Sequence, residues 1–309
     1  MRKPNLFIVG APKCGTTSMS IYLRQHPDIF FPESLRDKEP YYFCSDFTSH
    51  KWRVSGEKEY LSLFAEAGNE KYVGEASVWY LYSAVAARNI KEFEPDAKII
   101  IMLRNPADMI YSLYRQFLRT ANEDIPDFGE AVAAEEVRKR GEGIPSNAHF
   151  PEGLFYSDVA KYSEQVKRYL DTFGKDRVHI IIFDDLVSDA PGTYRKILEF
   201  LGVDSDFQPD FSVYNPAVNI RSIFLQNLVC SLPPVVQKFA AIFPTGLRNA
   251  VKSLNYSRKD RRGMSPEVKK VLQKKLCRDV ENLSRLIGHD LMFWCADKDR
   301  KLSGGGQGT

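Results

Sequence analysis

A loop with two glycines, placed between an apolar run and a helical pattern, constrains the fold of this chain more than any other feature. Residues 6–9, LFIV, are typical of a buried β-strand. The loop GAPKCGTTS at residues 10–18 follows, and apolar residues at helical spacing continue until Pro27. A strand, loop and helix in this order direct backbone N–H groups and the positive end of the helix at one point, where a phosphate can bind. Lys13 adds a positive charge to this loop. The sequence therefore predicts an anion-binding loop.

The position of its lysine separates this loop from the loop of nucleoside-triphosphate enzymes. In the pattern G-x-x-x-x-G-K-[ST] the lysine follows the second glycine. Here Thr16 takes that position, and Lys13 lies two residues before Gly15. A nucleotide kinase or NTPase stays an alternative, because IIIFDD at residues 180–185 is similar to a strand that ends in a Mg²⁺ ligand.

Further apolar runs alternate with helical patterns along the first two thirds of the chain. Strands are predicted at 71–76, 98–103 and 178–183, and helices at 84–93, 106–121 and 157–173. This alternation predicts an α/β fold with a doubly wound, mostly parallel sheet flanked by helices. Beyond residue 186 the pattern is helical, and the Gly- and Pro-rich residues 141–153 are expected to form a loop, with a lid over a site as one interpretation. We expect one domain over residues 1–302 and a flexible tail at 303–309.

Charge is unevenly distributed in this 309-residue chain of net charge +3. Residues 252–278 contain ten Lys or Arg and two acidic residues, so this block carries +8 and the rest of the chain −5. Such a block is either a solvated helix face or a site for an anionic partner. A non-catalytic nucleic-acid-binding protein is thus a second alternative, although the chain shows no nucleic-acid-binding motif and the near-neutral total favours a local site.

The cysteines and the apolar runs indicate the compartment. The cysteines are odd in number, widely spaced and without a C-x-x-C pair: Cys14, Cys44, Cys230, Cys277 and Cys295. A disulfide framework or a zinc site is therefore not expected, and a reducing, cytoplasmic location is predicted. No apolar run is long enough for a membrane span, and the start lacks the apolar length of a signal peptide.

The loop at residues 10–18 resembles the 5′-phosphosulfate loop of sulfotransferases that use 3′-phosphoadenosine 5′-phosphosulfate (PAPS). The similarity is to the form found in bacterial members and in the heparan sulfate and carbohydrate group. Other segments match in the family's order: KEPYYF at 38–43, GEAS at 74–77, RNP at 104–106 with Ser112, FDDL at 183–186, and the stretches 258–263 and 281–294. The resemblance implies the P-loop-like sulfotransferase fold. It also implies in-line transfer of a sulfuryl group from PAPS to a hydroxyl or amine acceptor, with release of 3′-phosphoadenosine 5′-phosphate (PAP).

The resemblance implies donor-binding residues at both ends of the nucleotide. For the 5′-phosphosulfate these are Lys13, Cys14, Gly15, Thr16, Thr17 and Ser18, and for the 3′-phosphate Arg104, Ser112, Arg258, Lys259, Arg261 and Arg262. Lys13 would contact the bridging oxygen and the leaving phosphate, and is therefore also a catalytic candidate. No metal is required, because a monovalent sulfuryl group has less need of Mg²⁺ than a triphosphate.

The acceptor hydroxyl needs a base, since its own pKa is high. Glu39 is the first candidate, with Lys38 beside it, and Glu75 is the rival because it ends a predicted strand. Tyr41, Trp79 and Tyr80 are candidates for acceptor contact. The heparan sulfate group commonly has His in place of Tyr41 and Lys after the glutamate that corresponds to Glu75. Both differences concern the acceptor, so the resemblance does not carry a heparan sulfate substrate over to this chain. A carbohydrate hydroxyl is the first expectation, and a lipid, polyketide or phenolic hydroxyl stays open.

Overall fold

A five-stranded parallel β-sheet lies at the centre of the protein. The computed structural model describes residues 2–34, 37–47, 53–212, 219–220, 256–257 and 263–296. The strands are β1 (Leu6–Ile8), β2 (Ile29–Phe30), β3 (Tyr72–Glu75), β4 (Lys98–Leu103) and β5 (Val178–Ile182). Their spatial order is β2-β3-β1-β4-β5, and each neighbouring pair is parallel. The strand that leads into the glycine loop is therefore central, between β3 and β4.

Helices connect these strands and cover the sheet. They are α1 (Thr16–Arg24), α2 (Glu57–Ser62), α3 (Ala86–Phe93), α4 (Pro106–Thr120), α5 (Phe128–Ala133), α6 (Glu135–Lys139), α7 (Tyr156–Val159), α8 (Tyr162–Phe173), α9 (Phe183–Ser188), α10 (Ala190–Leu201) and α11 (Pro266–Ile287). Short 3₁₀ helices lie at Pro151–Leu154, Lys175–Arg177 and Met292–Trp294. The α/β fold with a parallel sheet flanked by helices is thereby confirmed.

Parallel pairing brings the carboxyl ends of β1, β3 and β4 to one edge of the sheet. Leu6 pairs with Gly74 on β3 and with Lys98 on β4. The pairing continues into the loop, since the Ala11 N–H donates to the Met102 carbonyl at 2.6 Å and the Met102 N–H to the Gly10 carbonyl at 2.7 Å. The glycine loop and the residues after β3 and β4 consequently meet at this edge, which is where open α/β sheets place their ligands.

Helix α4 begins next to this edge and runs away from it. Pro106 occupies the first turn, and the Asn105 side chain accepts hydrogen bonds from the N–H groups of Ala107 at 3.1 Å and Asp108 at 3.4 Å. This is the combination that starts a helix sharply. Its apolar residues, such as Leu113 and Phe117, are buried against the core. The polar positions of α4 are therefore left for the site.

Some elements differ from the prediction. The two-residue strand β2 was not expected, because so short a run has no periodicity to recognise. The region after residue 186 is not wholly helical, since β6 (Asn219–Ile220) pairs antiparallel with β7 (Tyr256–Ser257). The helix expected at 157–173 is interrupted between α7 and α8.

A disulfide joins Cys277 in α11 to Cys295, with Cα atoms 5.5 Å apart. The number and spacing of the cysteines, from which a disulfide framework was not expected, did not predict this pair. After Gly288, in the left-handed conformation that ends α11, the chain turns back and carries Cys295 alongside the helix. Such a return is invisible in the spacing of the cysteines. Cys14 and Cys44 are buried free thiols.

Two further expectations concern the extent of the chain. None of the helices in the described residues is both long and apolar enough to cross a membrane. The single domain over 1–302 stays a prediction, and the expected tail at 303–309 lies outside the described residues.

Candidate active site

Lys13 is the centre of a cluster of cations at the carboxyl edge of the sheet. Its Nζ donates a hydrogen bond of 2.7 Å to Oε1 of Gln116 on α4. The pKa of Lys13 is lowered to about 8, first by burial and then by the charges of Arg119 and Arg104, while Glu39 acts in the opposite direction. Like charges are thus gathered at a partly desolvated point, which favours binding of an anion there.

The conformation of the loop explains its glycines. Gly10 has φ +136°, and a Cβ at this position would lie 2.5 Å from the Val78 carbonyl oxygen. Gly15 has φ +86° and stands immediately before α1. Both positions favour glycine because L-residues rarely adopt such angles. Lys13 itself has φ +63°, so its side chain leaves the loop in a direction that an ordinary strand-to-helix turn would not produce.

The remaining loop residues offer N–H groups and hydroxyls. Helix α1 has no side-chain cap and no acidic residue in its first turn, so its positive end is not neutralised by its own first residues. Thr16 is buried, whereas Thr17 and Ser18 are partly exposed. The Cys14 thiol donates to the Pro12 carbonyl at 3.3 Å, and burial raises its pKa to about 12. Cys14 is therefore a neutral structural thiol rather than a nucleophile.

Arg104 connects the loop to the elements on its other side. Its guanidinium Cζ lies 4.9 Å from the centroid of the Phe183 ring, and Nη1 donates to the Lys13 carbonyl at 3.5 Å. Ser112 lies two turns into α4 and is partly exposed. Gln116 follows one turn later on the same face, since residues four apart on a helix are neighbours. Sequence reasoning missed Gln116 and Arg119, although their spacing from Ser112 was a usable signal.

Glu39 is partly exposed and firmly held. Lys38 Nζ lies 2.7 Å from Glu39 Oε1, and the Tyr41 hydroxyl donates to Glu39 Oε2. The Lys38 side chain is 3% exposed and that of Glu39 24%. The Ala76 N–H donates to the Lys38 carbonyl at 2.9 Å, which anchors this segment to the end of β3. The carboxylate is thus placed at the same edge as Lys13.

Glu75, the rival carboxylate, is fully buried. The hydroxyls of Tyr60 and Ser77 each donate to it at 2.5 Å, one to each oxygen. Burial raises the pKa of Glu75 to about 7, against the opposing effect of these donors. The structure therefore separates the two candidates, with Glu39 facing the site and Glu75 enclosed in the core behind it.

The buried Glu75 predicts a pH dependence of stability. A pKa of about 7 exceeds the ordinary value of a glutamate, so the folded protein holds this proton more tightly than the unfolded chain. The stabilisation is complete below about pH 4.5 and is lost as the pH rises through 7, with an amplitude of about 2–3 kcal/mol between pH 5 and 8. Urea unfolding of the wild type should show this loss, and Glu75→Gln should lack it. Glu66→Gln, at an exposed site, is the control; equal pH slopes for all three proteins would contradict the assignment.

The aromatic candidates lie at different depths. Tyr80 is fully buried, and its hydroxyl accepts from the Phe43 N–H at 3.3 Å, which places it in the core. Trp79 is nearly buried, with its ring centroid 4.5 Å from that of Phe150. Phe150 belongs to the 141–153 loop, so this loop is anchored at its end. Contact of Tyr41, Trp79 and Tyr80 with an acceptor stays a prediction.

Two predictions remain to be compared with the structure: the basic residues near the C-terminal helix and the Mg²⁺ ligand of the NTPase alternative. Arg258, Lys259, Arg261 and Arg262 lie outside the described residues. Asp184, one of the two aspartates at the end of the run on which the NTPase alternative rests, accepts a hydrogen bond of 3.2 Å from the Trp294 indole. Over the described ranges, no group of three or more His, Cys, Asp or Glu side chains is arranged to hold a metal ion.

These features define a class: an α/β protein with an anion-binding glycine loop and a carboxylate at the carboxyl edge of a parallel sheet. A family model described as sulfotransferase domain matches residues 3–213, and the chain belongs to this family. The chain is 32% identical to a crystallised sulfotransferase from Alicyclobacillus acidocaldarius, with a TM-score of 0.71 and coverage of 96% of this chain and 100% of that one.

Curated relatives are similar over a smaller share of their length. Human carbohydrate sulfotransferase 15 is 26% identical over 296 residues, which cover 78% of this chain and 51% of that protein. Mouse heparan sulfate glucosamine 3-O-sulfotransferase 3B1 is 26% identical over 200 residues, covering 65% of this chain and 46% of that protein. The chain thus spans about half the length of these relatives.

Proposed function

We propose that this protein transfers a sulfuryl group from PAPS to a hydroxyl group of a carbohydrate and releases PAP. The observation that supports this most is the cluster of cations at the loop: the Arg104 guanidinium donates to the Lys13 carbonyl, and burial, followed by the charges of Arg119 and Arg104, lowers the pKa of Lys13 to about 8. Membership of the sulfotransferase domain family supports the same reaction class. An amine acceptor is chemically possible at the same site.

The residues present fit a donor with charge at both ends. Lys13 and the first N–H groups of α1 would hold the 5′-phosphosulfate, together with the hydroxyls of Thr17 and Ser18. Arg104 and Ser112 would hold the 3′-phosphate. When bound, PAPS supplies an activated sulfuryl group whose leaving group is a nucleotide phosphate. Lys13 then stabilises the negative charge that develops on the leaving oxygen.

Glu39 acts as the general base in this proposal. Its carboxylate is partly exposed at the site and accepts hydrogen bonds from Lys38 and Tyr41. Each oxygen keeps a lone pair, with which the carboxylate can accept the proton of the attacking hydroxyl. Glu75 does not have this access, because it is enclosed among Tyr60 and Ser77.

A carbohydrate is proposed as the acceptor on the names of the curated relatives, a carbohydrate sulfotransferase and a heparan sulfate glucosamine 3-O-sulfotransferase. Tyr41 and Trp79 would contribute the aromatic faces that pack against sugar rings. A cytoplasmic location is part of the proposal, although the Cys277–Cys295 disulfide is uncommon in a reducing compartment.

Binding and transfer test this function directly. Calorimetry with PAP and EDTA should show binding, whereas ATP with Mg²⁺ should not bind under the same conditions. Radiolabelled PAPS is then offered with unsulfated polysaccharides, simple phenols and long-chain alcohols, and label should move to a carbohydrate. Binding of ATP with Mg²⁺ and not of PAP would favour the NTPase alternative and overturn the proposal. Binding of PAP without any transfer would indicate a non-catalytic nucleotide-binding protein.

A further inference from the structure

We infer that Tyr41 is a positioning residue for Glu39, and that Ser77 together with the buried Glu75 fixes Tyr41 for this task. The inference rests on the proposed function, in which Glu39 is the base. It assigns a role to three residues that do not contact the reacting atoms in this arrangement.

Ser77 links Glu75 to the backbone of Tyr41. Its hydroxyl donates to Glu75 Oε1 at 2.5 Å and accepts from the Tyr41 N–H at 3.1 Å. Both Ser77 and Glu75 are fully buried. Because the second oxygen of Glu75 accepts from Tyr60, the carboxylate cannot rotate without breaking a buried hydrogen bond. The orientation of the Ser77 hydroxyl is thereby determined.

The backbone of Tyr41 has an uncommon conformation. Its φ is +53°, in the left-handed region that a bulky residue seldom adopts. Such strain persists where surrounding contacts hold it, and it is concentrated at functional sites. The Ser77 hydrogen bond is one of these contacts, and the Lys38 carbonyl, bonded to Ala76, anchors the same turn. The left-handed turn brings the Tyr41 ring back toward the residue two positions before it.

The consequence is a carboxylate held at both oxygens. Lys38 binds Oε1 of Glu39 and the Tyr41 hydroxyl binds Oε2, which restricts rotation of the carboxylate plane. Burial and the nearby charge of Glu39 raise the pKa of Tyr41, so its hydroxyl stays a donor. Lys13 attracts the Glu39 charge and Glu75 opposes it. Within the described residues, the titratable groups that act on Glu39 are thus Lys13, Lys38, Tyr41 and Glu75.

Tyr41→Phe tests the hydroxyl while it keeps the ring, and Tyr42→Phe is the matched control. The Tyr42 ring stacks on that of Tyr60, with the ring centroids 4.3 Å apart. Tyr42→Phe therefore removes a hydroxyl from the neighbouring tyrosine and leaves the hydrogen bonds to Glu39 in place. One readout needs no ligand: a water-soluble carbodiimide labels carboxyl groups, and peptide mass spectrometry measures the rate at Glu39. The other is hydrolysis of radiolabelled PAPS with water as the acceptor, followed across pH.

Tyr41→Phe should increase carbodiimide labelling of Glu39 several-fold, because a carboxylate that loses a donor is protonated more readily. It should lower kcat by about 10- to 100-fold and move the acid limb of the pH–rate profile upward by about half a pH unit or more. The Kd for PAP should change by less than about twofold, since no group that binds the nucleotide is removed. Ser77→Ala should shift labelling and kcat in the same direction.

Unchanged labelling of Glu39 in Tyr41→Phe would overturn the inference, as would a fall in kcat with the acid limb unmoved. Equal effects of Tyr41→Phe and Tyr42→Phe would also overturn it. These outcomes differ from failure of the proposed function, which would appear as absence of PAP binding and of PAPS hydrolysis in the wild type. Carbodiimide labelling tests the Tyr41–Glu39 contact in either case.

Discussion

Glu39→Gln is expected to lower the rate of sulfuryl transfer by about 10²- to 10⁴-fold, the range that a positioned general base contributes. The amide keeps the shape of the side chain and cannot accept the proton of the acceptor hydroxyl. Since Glu39 lies outside the proposed phosphate-binding groups, the Kd for PAP should remain within about twofold of the wild type. Transfer from radiolabelled PAPS and calorimetry with PAP measure the two quantities.

Glu75→Gln is the matched comparison for this result. The buried amide resembles the protonated carboxyl that Glu75 carries below pH 7: its oxygen accepts a hydrogen bond, and its NH₂ group can donate one. We expect a loss of about tenfold or less, because Glu75 acts through Ser77 and Tyr41 and does not accept the transferred proton. A greater loss in Glu75→Gln than in Glu39→Gln would reverse the assignment of the base.

Lys13→Ala is expected to reduce turnover by about 10²- to 10³-fold, as removal of a group that stabilises developing negative charge typically does. Its effect on PAP affinity should be much smaller, because Arg104 and the α1 N–H groups still attract the phosphates. Lys167→Ala, which removes a surface lysine paired with Asp171, is the control. Single-turnover transfer from PAPS separates the chemical step from binding.

The lowered pKa of Lys13 adds a second test of the same assignment. Above pH 8 the free protein loses this charge, so PAP affinity in the wild type should fall as the pH rises through about 8. In Lys13→Ala this part of the pH dependence should be absent. Turnover of Lys13→Ala equal to that of the wild type would remove Lys13 from the mechanism.

The elements that were predicted well carry strong local signals. Strand β4 (Lys98–Leu103) was expected at these residues, because its apolar run is continuous and bounded. Helix α4 was expected to start at Pro106, where Asn105 and the proline define its first turn. Strand β2 and the pair β6 and β7 are two residues each, and their pairing depends on partners distant in sequence. Local patterns contain no information on such pairing.

The residues of the candidate site also fall into two groups, those that the sequence predicted and those that only contacts in the structure revealed. Lys13 was predicted from the glycine loop in which it lies, and Arg104 and Ser112 from their resemblance to the family's 3′-phosphate motif. Gln116 and Ser77 were not, since their importance comes from contacts with Lys13 and with Glu75 and Tyr41. A disulfide framework was not expected from the number and spacing of the cysteines, and the turn after α11 brings Cys295 next to Cys277.

The sequence by itself determined the class of this protein. The strand, glycine loop and helix place Lys13 where a nucleoside-triphosphate enzyme does not have it, and the repeated apolar runs predict a parallel sheet. Carboxylates follow Lys38 and end β3. It made Glu39 the first candidate for the base and left Glu75 open as the rival. Only the tertiary structure distinguished them, because burial is a property of packing. Tyr60 and Ser77 enclose Glu75, while the turn at Tyr41 leaves Glu39 at the open edge of the sheet.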